Sequence, residues 1–320
     1  MNSIIIDGLA FALPLFIIAI GGIYSERSGI TNLALEGFLG FGAFFGAAIV
    51  MAITGGNLSG RELPMFYVAL AAAAVGGALF AMLHALLCIP FKANQVISGV
   101  VINILAVALT SFFTSQINTV LLGKPTNKFI LSVCSKFTVP GISKIPVLGA
   151  FFTDVYIFEP IIIIVALFMA YLMYKSRFGL RLRACGDNPH AVDAAGADVS
   201  KIRFTAVMIS GALAGLGGMC FAYSISASFS PSIYSGYGFL AIAALIFGNW
   251  KIGPTLGACL LFGFARSGGY KLAQVLGLSS AFSDIIMILP YVLTLLLLMF
   301  FSSTNRAPRA LGEIYDKGKR

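Results

Sequence analysis

The strongest constraint on this chain is a series of apolar runs, each close to bilayer length, separated by short polar breaks. They fall at 3–24, 32–53, 65–89, 96–117, 155–174, 203–224, 237–249, 253–266 and 282–301. A helix needs roughly 20 apolar residues to cross the hydrocarbon core, and every backbone N–H and C=O must be satisfied there without water. The runs lack period-two alternation, which points to helices rather than barrel strands. The expected fold is an all-α polytopic membrane protein with about nine crossings, eight to ten by other counts, and residues 1–320 form one transmembrane domain. Hydrophobic residues make up 59% of the chain and charged ones only 10%, whereas a soluble globule carries about a quarter charged residues. No soluble domain of useful size fits between the runs.

The net charge of +9 sits mostly in short connections and the C-terminal stretch, so it reads as topology rather than as nucleic-acid binding. Its densest cluster is 175–203, where Lys175, Arg177, Arg181, Arg183, Lys201 and Arg203 accompany Asp187, Asp193 and Asp198. Basic loops next to spans resist translocation, which puts this island in the cytoplasm. With nine crossings the N-terminus is then external, 118–154 forms an external loop, and 302–320 forms a cytoplasmic tail. The assignment leaves 14 Lys and Arg residues inside and seven outside. The first run lacks a basic lead and a small-residue cleavage site, so it is kept as a span rather than a signal peptide.

The segments 237–249 and 253–266 are short, and Gly248 and Gly253-Pro254 interrupt them. Broken helices are tolerated where backbone lines a cavity or is buried in protein. Gly-Ile-Thr-Asn-Leu-Ala-Leu-Glu-Gly at 29–37 is a similar polar entry into a span. One interrupted segment per half hints at an inverted repeat with a site between the halves.

Within the island, Asp187 or Asn188 suits a helix N-cap and Pro189 the first turn, and Gly196 suits the C-cap. Ala191, Ala194 and Ala195 leave room for a close partner; an ordinary solvated loop helix fits the same residues.

Glu36 is an ionisable group several residues inside a span. Such groups are costly in lipid and face a cavity or a partner. Asn32, one turn earlier, would share its helical face. Asn94, Gln95, Ser98 and Asn103 add amides and a hydroxyl at the entry of the fourth span. These residues fit a translocation path, and interhelical hydrogen bonding explains them as well, Asn103 above all. His84 reads as a satisfied core histidine. Gly42-xxx-Gly46, Gly211-xxx-Gly215 and Gly253-xxx-Gly257 read as close packing sites, and Trp250-Lys251 as a headgroup anchor. The five cysteines have no CxxC spacing and read as small buried hydrophobes. There is no GxxxxGK[ST], HExxH, GxSxG or clustered Cys/His site, so no catalytic or metal-binding residues are expected and ATP is not bound by a Walker A loop here.

The stretch Gly-Leu-Arg-Leu-Arg-Ala-Cys-Gly-Asp-Asn-Pro-His-Ala-Val-Asp-Ala-Ala-Gly-Ala-Asp-Val (179–199) resembles the coupling loop of ABC-importer permeases of the simple-sugar, branched-chain amino acid and nucleoside group. Ser25 to Gly37 (SERSGITNLALEG) resembles the early signature of the nucleoside branch. Lys92 to Gly99, Ser210 to Gly218 and Gly238 to Gly248 resemble later blocks. Thr31 and Asp193 stand where Val and Glu are common in the group. The resemblance implies that Gly186, Asp187, Asn188, Pro189, Asp193, Ala194, Ala195 and Gly196 couple to a cytoplasmic ATPase. It implies no cofactor on this chain, ATP and Mg being bound by the ATPase subunit. A second permease, like or unlike, and an external substrate-binding lipoprotein complete the implied assembly, a nucleoside importer in the cytoplasmic membrane. Simple sugars and branched-chain amino acids are the alternative substrates. Taken alone, the residues leave open an ion-coupled secondary transporter, or a structural or receptor-like membrane protein.

Overall fold

The computed structural model describes residues 2–141, 143, 148–232, 234–277 and 306–318, with the isolated positions 288, 292, 296 and 299. In chain order its helices are α1 (Asn2–Arg27), α2 (Leu35–Thr54), α3 (Glu62–Cys88), α4 (Gln95–Leu122), α5 (Phe158–Lys175), α6 (Arg177–Asp187), α7 (Pro189–Ala194), α8 (Val199–Phe221), α9 (Tyr237–Phe247) and α10 (Ile252–Val275). A π-helical turn, Ala222–Ser226, continues α8. Six of these helices are long and apolar enough to cross a membrane: α1 to α5, and α8 with its π turn. The chain is thus a mostly helical, multi-pass membrane protein.

α1 is the central post, with every residue from Ala10 to Glu26 buried. α10 runs antiparallel beside it: Gly8 meets Phe264 near one end, and Trp250, just before α10, bonds Glu26 near the other. α2, α3 and α8 form a second, tight layer. Their glycines let backbones touch: a Cβ on Gly77 would strike the Gly211 carbonyl, one on Gly215 the Ala73 carbonyl, and one on Gly42 the Cα of Gly215. Packing of this kind replaces hydrophobic drive, which is weak between helices in lipid.

α6, α7, the start of α8 and the ends of α1, α3, α5 and α9 gather on one face, here called the island face. The long connection after α4 lies on the opposite face. Among the described residues it carries three two-residue strands, β1 (Phe129–Ile130), β2 (Lys136–Phe137) and β3 (Val155–Tyr156); a fourth, β4 (Ser228–Phe229), follows α8. β1 pairs antiparallel with β4, Phe129 opposite Phe229, and β2 with β3, Lys136 opposite Tyr156. Phe129 and Phe229 pack on Phe44 of α2, so this connection folds back into the bundle.

The structure corrects several expectations. α4 runs to Leu122, because no breaker precedes Gly123, whose φ of +68° ends it; the connection therefore starts later than 118. α8 starts at Val199 rather than 203, because the Asp198 carboxylate accepts the Lys201 N–H at 3.0 Å and caps it. α10 continues to Val275, well past 266, because Arg266 is sheltered rather than helix-breaking. Its guanidinium lies 4.3 Å from the Phe11 ring centre and donates to the Tyr237 hydroxyl at 3.0 Å. α9, within the expected span 237–249, is too short to span alone: its 11 residues rise about 16 Å, half the hydrocarbon thickness, and the non-helical residues before it make up the rest of the passage. Among the described residues, a Cβ placed on Gly253 or Gly257 would meet nothing within 4 Å, so the expected close packing of this pair has no partner there. Trp250 is 6% exposed and donates its indole N–H to Glu26; it is a buried hydrogen-bonding residue, not a headgroup anchor. The expected span 282–301 lies almost wholly outside the described residues.

Candidate functional site

Residues 28–34 connect α1 to α2 without helical structure, so backbone groups of a buried segment need other partners. Side chains supply them. Gln95 Oε1 accepts the Thr31 N–H at 2.6 Å, and Asn103 Nδ2 donates to the Leu33 carbonyl at 2.8 Å. Asn103 Oδ1 also accepts the Gly37 N–H at 2.8 Å. Asn32 is fully buried and donates to Ser210 Oγ of α8 at 2.8 Å. At the island end, Arg203 Nε donates to the Ser28 carbonyl at 3.0 Å.

Because α2 begins only at Leu35, Asn32 and Glu36 do not share a helical face, contrary to the sequence expectation. The Gly-Ile-Thr-Asn stretch is a polar crossover instead. Asn103 stands eight residues into α4, about 12 Å along the helix, which places the neighbouring Glu36 well inside the bundle.

Glu36 meets the first turn of α9. The Gly236 N–H donates to its Oε1 and the Gly238 N–H to its Oε2, each at 2.6 Å. A helix N-terminus presents unpaired N–H groups and the positive end of its dipole, both of which favour an anion. A carboxylate 200 residues away in sequence thus caps a half-helix that starts within the membrane. Gly238 is needed for this approach, since a Cβ there would lie 2.5 Å from the Glu36 backbone nitrogen.

Beside this junction is a cavity of about 540 Å³, lined by Glu36, Gly40, Asn103, Ala106, Val107 and Thr110 on one side. Pro231, Ser232, Tyr234, Ser235, Gly236 and Phe239 line the other. The volume is in the range of small-molecule sites. A carboxylate, an amide, hydroxyls and aromatic rings can orient a polar planar ligand while apolar walls exclude water. A second cavity of about 350 Å³ opens at the opposite face between α1 and α10, around Asp7, Phe11, Tyr156 and Arg266. The first is the better candidate, since two interrupted segments converge on it.

Of the polar residues singled out in the sequence, the structure brings Glu36 and Asn103 to the cavity. Gln95 and Ser98 brace the crossover region; Ser98 Oγ lies 2.8 Å from His84 Nδ1, which makes His84 a satisfied core histidine. Asn94 is exposed and caps α4 through the Val96 and Ile97 N–H groups. The sequence alone assigned no site role to three further residues. Glu26 is buried against Trp250, Arg203 is 2% exposed, and Tyr234 closes the cavity wall. Glu26 carried a signal, as a carboxylate beside an apolar run; Tyr234 carried none.

On the island face, α7 forms as its caps require. Asn188 Oδ1 accepts the Ala191 N–H at 3.0 Å, Pro189 is the first helical residue, and Gly196 turns the chain at a φ of +80°. Asp187 ends α6 and Gly186 abuts the Arg27 carbonyl, while Ala194 and Ala195 are exposed beside Asp193. Among the described residues no group of His, Cys, Asp and Glu is arranged to hold a metal ion.

A family described as "Branched-chain amino acid transport system / permease component" matches residues 4–298. The guanosine ABC transporter permease protein NupQ of Bacillus subtilis is 41% identical over 99% of this chain and 98% of its own length. The nucleoside ABC transporter permease protein NupC of Lactococcus lactis is 37% identical over 100% of this chain and 98% of its own. A glucose ABC transporter permease of Haloferax volcanii is 27% identical over 88% and 70% of the two chains. No solved structure matches. The chain belongs to this permease family and is a multi-pass membrane component of a transport system.

Proposed function

We propose that the chain is the permease subunit of an ATP-driven importer of nucleosides, with the cavity beside Glu36 as part of the path. The carrying observation is the junction of Glu36 with the N-terminus of α9, where two interrupted segments meet over a polar cavity. The relatives named for guanosine and nucleosides, matched over nearly their whole length, support the substrate class. Asn103, the hydroxyls of Ser232 and Ser235, and the exposed Phe239 ring offer donors, acceptors and a stacking face for a base and a ribose.

ATP and Mg are held by a separate ATPase subunit that seats on α7, whose small residues permit close approach. A second permease subunit and an external binding protein complete the assembly. The island face is cytoplasmic. Arg27, Lys92, Lys175, Arg177, Arg181, Arg183, Lys201, Arg203, Lys251, Arg306, Arg309 and Lys317 lie there, against Arg61, Lys124, Lys128, Lys136, Arg266 and Lys271 towards the opposite face. That bias follows the positive-inside rule, and it leaves the N-terminus external and the C-terminus cytoplasmic. In this reading nucleotide-driven closure of the ATPases displaces α7 and biases the permease between two global states.

Uptake of labelled guanosine, glucose and leucine by cells with and without the protein tests the reading. Loss of guanosine uptake on deletion, sensitive to ATP depletion and not to proton uncouplers, supports it. Normal guanosine uptake in the deletion strain, or uptake abolished by uncouplers at normal ATP, overturns it. Gly196→Trp tests the seat on α7: uptake should fall with membrane accumulation unchanged, and unaltered uptake and ATPase stimulation would remove that part.

A further inference from the structure

Residues 306–318 pack across the connections of the island face. The Arg306 N–H donates to Asn249 Oδ1 in the α9–α10 turn at 2.8 Å. The Ala310 N–H donates to the Gly186 carbonyl of α6 at 2.8 Å, and the Gly312 N–H to the Gly29 carbonyl of the crossover at 3.1 Å. The Glu313 carbonyl accepts Arg203 Nη1 at 3.0 Å, and the same guanidinium holds Ser28. Three contacts then reach outward. The Tyr315 ring lies 5.3 Å from the His190 ring of α7, Lys317 Nζ lies 3.6 Å from Asp193 Oδ1, and Asp316 Oδ2 lies 3.0 Å from Lys92 Nζ in the α3–α4 turn.

α7 is only six residues long, and its polar side chains His190 and Asp193 meet this segment rather than the bundle. The same segment bonds the crossover that ends at Glu36. We propose that 306–318 is a strap that carries displacement of α7 to the 28–34 crossover, with Arg203 as its positioning residue. Arg203 suits that work because its planar fork bonds the strap and the crossover at once. From Ser28 the link runs through a segment held by Gln95 and Asn103 to Glu36 and the first turn of α9. The inference rests on the proposed role of α7 as the seat of an ATPase.

The Lys92–Asp316 pair allows a clean test, since both side chains are partly exposed, 45% and 35%, and exposed pairs add little to stability. Lys92→Asp, Asp316→Lys and the double reversal are compared in membranes holding the complete transporter. Uptake, ATPase rate and amount of assembled complex are measured together. Each single reversal should lower uptake by roughly 2- to 30-fold, the range of coupling changes along such networks. Complex and ATPase rate should stay unchanged, and the double reversal should restore uptake. Arg203→Lys, which keeps the charge but loses the fork, should lower uptake at equal accumulation. Single reversals that transport normally, or a loss that only tracks the amount of complex, overturn the strap. If Gly196→Trp uncouples while the reversals transport normally, the strap fails and the reading of α7 stands. If Gly196→Trp also transports normally, both fall.

Discussion

The α2–α3–α8 seam and the Glu36–α9 junction both lie deep in the bundle, yet they are held by opposite means. The seam is backbone against backbone, with Gly42, Gly77, Gly211 and Gly215 removing side chains from the contact. It has one arrangement and little room for another. The junction is a carboxylate holding the N–H groups of a half-helix, beside a cavity rather than a close-packed wall. In the proposed path its bonds would be exchanged for those of a polar ligand, whereas the seam has nothing to exchange. The proposed function would use both: a close-packed layer, and a polar junction whose partners could change.

The comparison breaks first, and with the largest effect, at the seam. Gly77→Leu drives a side chain into the Gly211 carbonyl; overpacking costs about 1–3 kcal/mol even where the core relaxes, and backbone has little freedom to move. The variant should fail to accumulate in membranes, as read by immunoblot, and normal accumulation would show that the seam is loose. Next is Glu36→Ala, which leaves the Gly236 and Gly238 N–H groups unpaired at about 1–3 kcal/mol each. Uptake should be lost while the protein still accumulates and assembles, with Glu36→Gln intermediate because an amide oxygen still accepts. A variant that fails to assemble would make Glu36 a brace like the glycines, and the two regions would no longer differ.

Trp250→Phe removes one donor from buried Glu26, a cost of about 1–3 kcal/mol. A detergent melting curve should show a modest loss of stability, with uptake largely kept, because this contact sits at the island end and away from the cavity. The smallest effect is expected at Gly253→Ala and Gly257→Ala, which touch no other element among the described residues. Surface changes of this kind stay within about 0.5 kcal/mol, so an assembly defect there would reveal a chain packed against α10.

Membrane class, the positions of most spans and the caps of α7 were legible in the sequence because each is a local property. Apolar run length sets a span, and Asn188, Pro189 and Gly196 set a short helix. The crossover at 28–34 was legible as a polar, Gly-bounded entry, but not its lack of helix. That depends on Gln95, Asn103 and Ser210 arriving from other helices to bond it. Glu36 stood out as a carboxylate in an apolar run, while its partner, the start of α9, lies 200 residues away and bonds through backbone that any sequence possesses. The role of Arg203 was hidden for a related reason. It was counted among the island charges, and only the fold turns it inward onto the Ser28 and Glu313 carbonyls. Gly253-xxx-Gly257 shows the converse: a packing motif identical in spacing to the working ones, left without a partner among the described residues.

Substrate protection of a thiol placed in the cavity decides whether the space beside Glu36 holds a nucleoside. Ser235→Cys puts a thiol beside Gly236, in a background whose five native cysteines, all buried, have been replaced. Replacement guards the result even at Cys185 in α6, where burial pushes the thiol up to about 11 and already suppresses its reactivity. The assembled transporter is treated with a small charged thiol reagent, with guanosine or glucose present. The thiol introduced at position 235 should be modified, guanosine should slow the reaction while glucose does not, and Glu36→Ala should abolish the protection. Modification at the same rate with and without guanosine would contradict nucleoside binding there.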